Sequence, residues 1–165
     1  MRSIVLSILC LLCSVSVQAW TGSVVKVHDG DSVQVRRQDG SVVKIRIYGV
    51  DTPELDQPWG YEARQCTADL LLGRMVDVVP TGQRPSYGRE VAGIVVLDQM
   101  MVLQDALVSA GLAWVDGRYC KLAVCDLWRQ HQADAAAASP PRGLWADSVP
   151  LPPWQWRKLK KTHAR

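Results

Sequence analysis

The ten residues IRIYGVDTPE, numbered 45–54, decide how the rest of this chain is interpreted. Their apolar residues predict a buried strand, although Arg46 lies inside it. Pro53 ends regular strand pairing and keeps the residue before it out of the helical region. The strand end therefore collects an arginine, a hydroxyl and two carboxylates, whereas a simple turn would more commonly be Asn-Gly or Asp-Gly. This concentration of polar groups predicts a catalytic corner.

Three strands are predicted over residues 22–50, separated by the turn sequences Asp29-Gly30 and Asp39-Gly40. A three-residue loop over 38–40, with its glycine in the left-handed conformation, places the apolar faces of the second and third strands on the same side. The register favoured in this way pairs Val35 with Val43 and Val33 with Ile45.

This register predicts a site that sequence distance alone would not suggest. Asp31 falls opposite Ile47, and Arg46 falls on the polar face opposite Ser32. Asp51 follows at the same end of the predicted sheet. We therefore expect Asp31, Arg46 and Asp51 to line one site.

Apolar patterns after the corner predict two more strands and three helices. The strands are 75–80 and 89–97, and the helices are about 59–72, 103–110 and 126–138, the last with Asp126 as its N-cap. The pattern predicts a mainly β, α+β fold, a five-stranded OB-fold barrel with about three helices. An open sheet packed by helices is the alternative.

The first 19 residues have the layout of a signal peptide: a positive residue, an apolar run and small residues near Ala19. The apolar run is short for a membrane span. We therefore expect a mature chain that begins near Trp20, is secreted or periplasmic, and keeps no membrane anchor after cleavage. The domain is expected over 20–146, followed by a tail, 147–165, that is rich in proline and tryptophan and then basic.

Positive charge is concentrated in this tail, because its last nine residues hold five lysines and arginines and no acid. The rest of the mature chain is net negative, which excludes a general basic coat for nucleic acid, so any such binding must use local clusters. We expect the tail to be a solvated, disordered end, although it could instead widen a nucleic-acid contact.

Removal of the leader leaves three cysteines, Cys66, Cys120 and Cys125. In an oxidising compartment the close pair Cys120 and Cys125 could form a disulfide around a small loop. Cys66 falls on the apolar stripe of a predicted helix and is interpreted as a small buried hydrophobic residue. The histidines are scattered along the chain, so a zinc site is not expected.

Three motifs follow one another along the chain: HDGDS at 28–32, Arg46 followed by VDTPE at 50–54, and YGR at 87–89. Each motif alone is weak, whereas three in order on a compatible strand pattern are specific. Together they resemble the motifs of the thermonuclease (staphylococcal nuclease-like) family, and the resemblance covers about residues 24–145. The sequences GLW and PPW, at 143–145 and 152–154, also resemble the ends of secreted bacterial members.

The resemblance implies a calcium-dependent nuclease that hydrolyses phosphodiester bonds of DNA or RNA. Asp31 and Asp51 match the family's metal carboxylates, and Thr52 matches the residue that adds its backbone carbonyl. These donors suit Ca²⁺, which takes roughly six to eight hard oxygen ligands.

Three further residues match catalytic positions of the family. Glu54 matches the residue proposed as the general base, and Arg46 and Arg89 match the arginines that hold the phosphate. Forked guanidinium donors fit phosphate oxygens and offset charge that builds at phosphorus. By analogy, a metal-activated water attacks phosphorus and the 5′ oxygen leaves, which gives 3′-phosphate ends.

Tyr87 and Tyr119 match residues that contact the nucleic-acid substrate in the family, and the protein is expected to act as a monomer. One alternative is a catalytically weak or inactive nucleic-acid-binding OB-fold module. Another is a secreted barrel that binds carbohydrate or protein. Retention of all five charged residues of the site favours the enzyme, because a degenerate module would be expected to lack some of them.

Overall fold

The computed structural model describes residues 18–163. The predicted leader, 1–19, lies outside these residues except for its last two, and the leader stays a prediction. Eight strands are present in the described part of the chain. They are β1 (Trp20–Asp29), β2 (Ser32–Arg37), β3 (Val42–Ile47), β4 (Val50–Asp51), β5 (Met75–Pro80), β6 (Glu90–Val96), β7 (Met101–Val102) and β8 (Trp114–Val115).

Five of these strands close into a barrel, which confirms the predicted fold. They follow the order β3-β2-β1-β5-β6, and a parallel pairing of β3 with β6 joins the two ends. The alternative of an open sheet is wrong, because the first strand of the order, β3, also pairs with β6. The short strand β7 extends the sheet beside β6, and β4 pairs separately with β8.

The predicted register between β2 and β3 is confirmed. Gly40 has a φ of 85°, and the amide of Arg37 donates to the carbonyl of Ser41 across the loop. The amide of Ile47 donates to the carbonyl of Asp31 over 2.8 Å, so the two strand ends lie side by side. The pairs are Ser32 with Arg46, Val33 with Ile45, and Val35 with Val43.

Strand β1 differs from simple alternation. The sequence pattern predicts that Val25 and Val27 share the apolar face, whereas Val24 and Val27 are the buried pair. Register irregularities between Val24 and Lys26, and again between Val27 and Asp29, reset which side chains face inward. The second irregularity lies at the end of β1, where the strand leads into the turn at Asp29.

Four α-helices and one 3₁₀ helix surround the barrel in the described chain. The prediction that Asp126 caps the third helix is wrong, because this helix begins two residues earlier, after Ala123. Asp126 instead lies in its first turn and forms an ion pair with Arg129. The helices are α1 (Gly60–Leu71), α2 (Leu103–Ser109), α3 (Val124–Ala137), the 3₁₀ helix (Gly143–Ala146) and α4 (Pro153–His163).

The expectation of a disordered basic tail is wrong for residues 153–163, which form α4. Proline is favoured at the first position of a helix because its missing N–H would have no partner there, and Pro153 occupies that position. Pro152 and Pro153 are buried, and the ring of Trp154 meets the edge of Trp114 at 5.9 Å between centroids. Apolar packing therefore fixes the start of the tail on the domain.

The disulfide loop is attached to the barrel by a buried tyrosine. A disulfide joins Cys120 to Cys125, whereas Cys66 is free and half-buried on α1. The hydroxyl of Tyr48 accepts hydrogen bonds from the amides of Lys121 and Leu122, over 2.7 and 3.0 Å. Within residues 18–163, no helix is long and apolar enough to cross a membrane.

Candidate active site

One cavity of about 930 Å³ opens at the barrel end where β2 begins and β3 ends. All eight residues that the sequence assigned to metal, catalysis or substrate line it. Six of them lie on or beside β2, β3, β4 and β6, and two exposed tyrosines lie on loops. They are Asp31, Arg46, Asp51, Thr52, Glu54, Tyr87, Arg89 and Tyr119.

Asp31 is held rigidly because the β1–β2 turn packs against the strand end that follows β3. Its Oδ2 accepts hydrogen bonds from the amide and the hydroxyl of Thr52, at 2.8 and 3.2 Å, and its Oδ1 accepts one from Ser32. A side chain at Gly30 would meet the Thr52 side chain at 2.8 Å, so only glycine permits this approach. The Asp31 side chain is only 8% exposed.

Arg46 connects the two carboxylates that were predicted to bind metal. Its Nη1 lies 3.2 Å from Oδ2 of Asp31, and its Nη2 donates to Oδ1 of Asp51 over 3.0 Å. Nη1 also donates to the carbonyls of Ile47 and Val50, each over 2.8 Å. These bonds anchor the guanidinium to the backbone of the corner, so it is positioned before any ligand binds.

Burial and the charge of Asp31 raise the pKa of two neighbouring aspartates. They raise the pKa of Asp29 to about 6. Burial, and secondarily Asp31, also raises the pKa of Asp51, against the opposing effect of hydrogen bonds from Arg157. Desolvation and like charge both disfavour the ionised form of a carboxylate. The negative charge of Asp29 and Asp51 is therefore costly at these positions.

Arg89 reaches the site from β6, next to the pairing that closes the barrel. Its Nη1 donates to the hydroxyl of Ser32 over 2.7 Å, and its Nε donates to the carbonyl of Ser86 over 3.2 Å. Ser32 is also bound to Asp31, so the arginine and the carboxylate are linked through one hydroxyl. The neighbouring Tyr87 is 96% exposed, with its ring in solvent at the cavity.

Glu54 lies on a turn that Gln57 holds in place. The amide of Glu54 donates to the Gln57 side chain over 3.2 Å, and the amide of Gln57 donates back to the Glu54 carbonyl over 2.8 Å. Gln57 also donates to the carbonyl of Leu151 over 2.6 Å, which ties this turn to the C-terminal segment. The Glu54 side chain is 37% exposed, so its carboxylate is accessible to water.

Tyr119 lies directly before Cys120, in the segment that leads into the disulfide loop. It is 60% exposed, and the guanidinium of Arg118 lies 5.5 Å from its ring centroid. Arg118 is held by two hydrogen bonds to Asp116, at 2.9 and 2.6 Å, and also lies over Trp154. The tyrosine is therefore presented at the cavity beside a fixed cation.

Sequence reasoning missed Arg157, which reaches the site from α4. Its Nη2 donates to Oδ2 of Asp51 over 2.7 Å, and its Nη1 donates to Oε1 of Glu54 over 2.5 Å. Partial burial lowers the pKa of Arg157, but the bonds to these carboxylates outweigh that effect and raise it. A helix signal was present in the sequence, since Pro153 opens a run without another proline or glycine, but nothing local shows where that helix docks.

Comparison with known proteins agrees with this geometry. The family model described as "Staphylococcal nuclease homologue" matches residues 44–147. A protein of Escherichia coli O157:H7 named "Uncharacterized endonuclease" is 36% identical over 139 residues, which cover 84% of this chain and 86% of that protein. The "Micrococcal nuclease" of Shigella flexneri is 31% identical over 160 residues, covering 89% and 87% of the two chains.

A plant relative extends the similarity beyond bacteria. The "Staphylococcal-like nuclease CAN1" of Arabidopsis thaliana is 35% identical over 119 residues, which cover 72% of this chain and 34% of that protein. The matched family model spans more than half of the sequence, and it includes the corner, the YGR motif and the disulfide loop. The chain therefore belongs to the staphylococcal nuclease family.

Proposed function

We propose that this protein is an exported, calcium-dependent nuclease that hydrolyses phosphodiester bonds of DNA or RNA. The observation that carries the proposal is the convergence of two arginines, two buried aspartates and an accessible glutamate on one cavity. Family membership supports hydrolysis of nucleic acid, since relatives are named as nucleases. A barrel that binds carbohydrate or protein has no need for this combination of charges.

The residues present fit a calcium ion. Asp31 and Asp51, with the backbone carbonyl of Thr52, would hold it, and all three supply hard oxygen donors. The raised pKa of Asp51 reflects burial and the nearby charge of Asp31, and a divalent cation would relieve that repulsion. Within residues 18–163, no three His, Cys, Asp or Glu side chains form a group that could hold a metal ion. The calcium ligands would therefore have to include the Thr52 carbonyl and water besides the two aspartates.

Calcium, when bound, would supply positive charge that favours attack on a phosphodiester. The protein groups would supply orientation and proton transfer. Arg46 and Arg89 would hold the non-bridging oxygens of the phosphate, because two planar guanidinium groups converge from β3 and β6. Their bonds to the corner backbone, to Ser32 and to Ser86 fix these groups in advance, so little reorganisation is needed as charge builds.

Glu54 would accept a proton from the attacking water. A carboxylate is a weak base at neutral pH, so most of the rate must come from the arginines and the cation. The turn held by Gln57 keeps the carboxylate at the cavity. By family analogy the 5′ oxygen leaves, which would give 3′-phosphate ends.

The test uses the mature protein with single-stranded DNA, in calcium or in excess chelator. Cleavage is expected only with calcium, and it should fall by several orders of magnitude in Arg89→Ala and in Glu54→Gln. Arg74→Ala is a matched control, because Arg74 pairs with Asp98 outside the cavity and its loss should leave the rate unchanged. Cleavage that persists in chelator, or that survives both site variants, would overturn the mechanism. Binding without cleavage would identify the inactive nucleic-acid-binding module instead.

A further inference from the structure

One face of α4 forms part of the cavity wall. Arg157, Lys158 and Lys161 all line the same cavity as the candidate active site. Residues three and four positions apart are neighbours on a helix surface, so Lys161 lies beside both of the others. The helix contains no acidic residue. The wall is therefore a compact positive surface that adjoins the site.

Contacts at the start of α4 and on the face opposite this wall hold the wall in its orientation. Trp154 packs on Trp114, and the indole of Trp156 donates to Asp56 over 3.3 Å. Lys160 forms an ion pair with the same Asp56. Together with the bonds of Arg157 in the site, these contacts attach the helix along both sides.

The three cations of the wall differ in their partners. The charge of Arg157 is balanced by Asp51 and Glu54. Lys158 and Lys161 are exposed, and neither ammonium forms an ion pair with any residue in the described range 18–163. Two uncompensated positive charges thus face a cavity whose other lining includes the exposed rings of Tyr87 and Tyr119.

We propose that Lys158 and Lys161 bind phosphates of the substrate strand next to the one that is cleaved. This inference rests on the proposed function and extends it to the C-terminal helix. A positively charged groove combined with exposed aromatic rings is the combination that binds single-stranded nucleic acid, because phosphates meet cations and bases stack on rings. The occupant of the wall is accordingly the sugar-phosphate backbone of a nucleic-acid strand.

The first test measures salt dependence of binding, in chelator, by fluorescence anisotropy of a short labelled single-stranded oligonucleotide. Each phosphate contact contributes about 0.7 to the slope of log K against log salt for single strands, so Lys158→Gln/Lys161→Gln should lower the slope by about 1.4. At 0.1 M salt, the same relation predicts affinity on the order of 20-fold weaker. Lys160→Gln is the control, because it removes one positive charge from the same helix outside the cavity, and its slope should stay at the wild-type value.

An unchanged slope in the double variant would overturn the inference, and so would a fall in slope of about 0.7 in Lys160→Gln, which would be the effect of removing any one cation from this helix. A further arm uses anionic phospholipid vesicles. If the double variant lost vesicle binding while its oligonucleotide binding was unchanged, the lysines would serve a membrane surface and the inference would fail. Thermal melting of Lys158→Gln/Lys161→Gln should equal that of the wild type, since both side chains are exposed and form no ion pair within residues 18–163.

The second test separates this inference from the proposed function. With calcium, kcat/KM of Lys158→Gln/Lys161→Gln should equal that of the wild type on a chromogenic substrate with a single phosphodiester, and should fall about tenfold on a long strand. Equal loss on both substrates would show a structural role and overturn the inference. Wild-type protein that fails to cleave either substrate would refute the proposed function, whereas the salt slopes would still decide the role of the lysines.

Discussion

Arg157→Gln should destabilise the protein in the absence of calcium and much less in its presence. Arg157 donates twice to Asp51, over 2.7 and 3.3 Å, and once to Glu54 over 2.5 Å. The Asp51 side chain is only 3% exposed, so water cannot replace the lost donors. Arg46 continues to bind Asp51, which limits the damage.

The magnitude follows from the exposure of each group. A hydrogen bond to a charged group contributes about 1.5–3 kcal/mol, whereas an exposed ion pair contributes about 0–1 kcal/mol. The Arg157 side chain is 42% exposed, so solvent screens its interactions. The contribution of the hydrogen bond to Asp51 is therefore at the low end of the first range, and the bond to Glu54 adds little stability. We expect a loss of about 2 kcal/mol, which lowers Tm by about 4–8 °C for a domain of this size.

The assay is thermal unfolding of wild type and variant, in chelator and in saturating calcium. If calcium binds Asp51, it takes over the compensation of that carboxylate, and the difference in Tm should nearly disappear. Lys160→Gln removes a cation from the same helix, and the change in its Tm should be the same with and without calcium. A destabilisation of Arg157→Gln that is the same with and without calcium would refute the idea that the cation and Arg157 share Asp51.

Three further predictions concern the geometry of the cavity. Gly60→Ala should lower both Tm and the rate of cleavage sharply, because a Cβ there would lie 1.8 Å from the backbone carbonyl oxygen of Glu54. Normal cleavage of single-stranded DNA by this variant would contradict the contact. Asp29→Asn should stabilise the calcium-free protein at pH 8 by about 3 kcal/mol, since a folded-state pKa of about 6 against 3.8 makes the ionised form costly. That gain should shrink as pH falls from 6 to 4 in urea unfolding, and a gain constant with pH would show another cause. Tyr87→Ala should weaken oligonucleotide binding about tenfold with unchanged Tm, because its ring is exposed and base stacking on an aromatic side chain contributes about 1–3 kcal/mol.

The register of β2 and β3 could be predicted because it depends on local features. Alternation of apolar residues determines which face is buried, and a three-residue loop with left-handed Gly40 determines how the strands align. Asp31 and Arg46 were therefore placed together without any tertiary information. The bulges of β1 were not predicted, because valines at 24, 25 and 27 are equally apolar and only packing decides which of them face the core.

Arg89 was assigned by resemblance to a family, and the sequence offered no geometric reason to join it to the corner. Glu54 belongs to the corner, but its role as the base was likewise assigned by resemblance. Arg89 reaches Ser32 only because β3 pairs with β6 and closes the barrel. Glu54 is presented at the cavity only because Gln57 connects its turn to Leu151. Both arrangements depend on contacts between residues that are far apart in the chain.

The strand pattern, the hairpin register and the chemistry of the corner at 45–54 follow from local sequence, because alternation, turn residues and proline act within a few positions. The docking of α4 beside the site depends on long-range packing, and so does the contact between Arg157 and Asp51, which are 106 positions apart. A basic run has the same local pattern whether it is solvated or docked. The difference comes from buried prolines and from Trp154 on Trp114, and such long-range packing leaves no periodic signal in the chain.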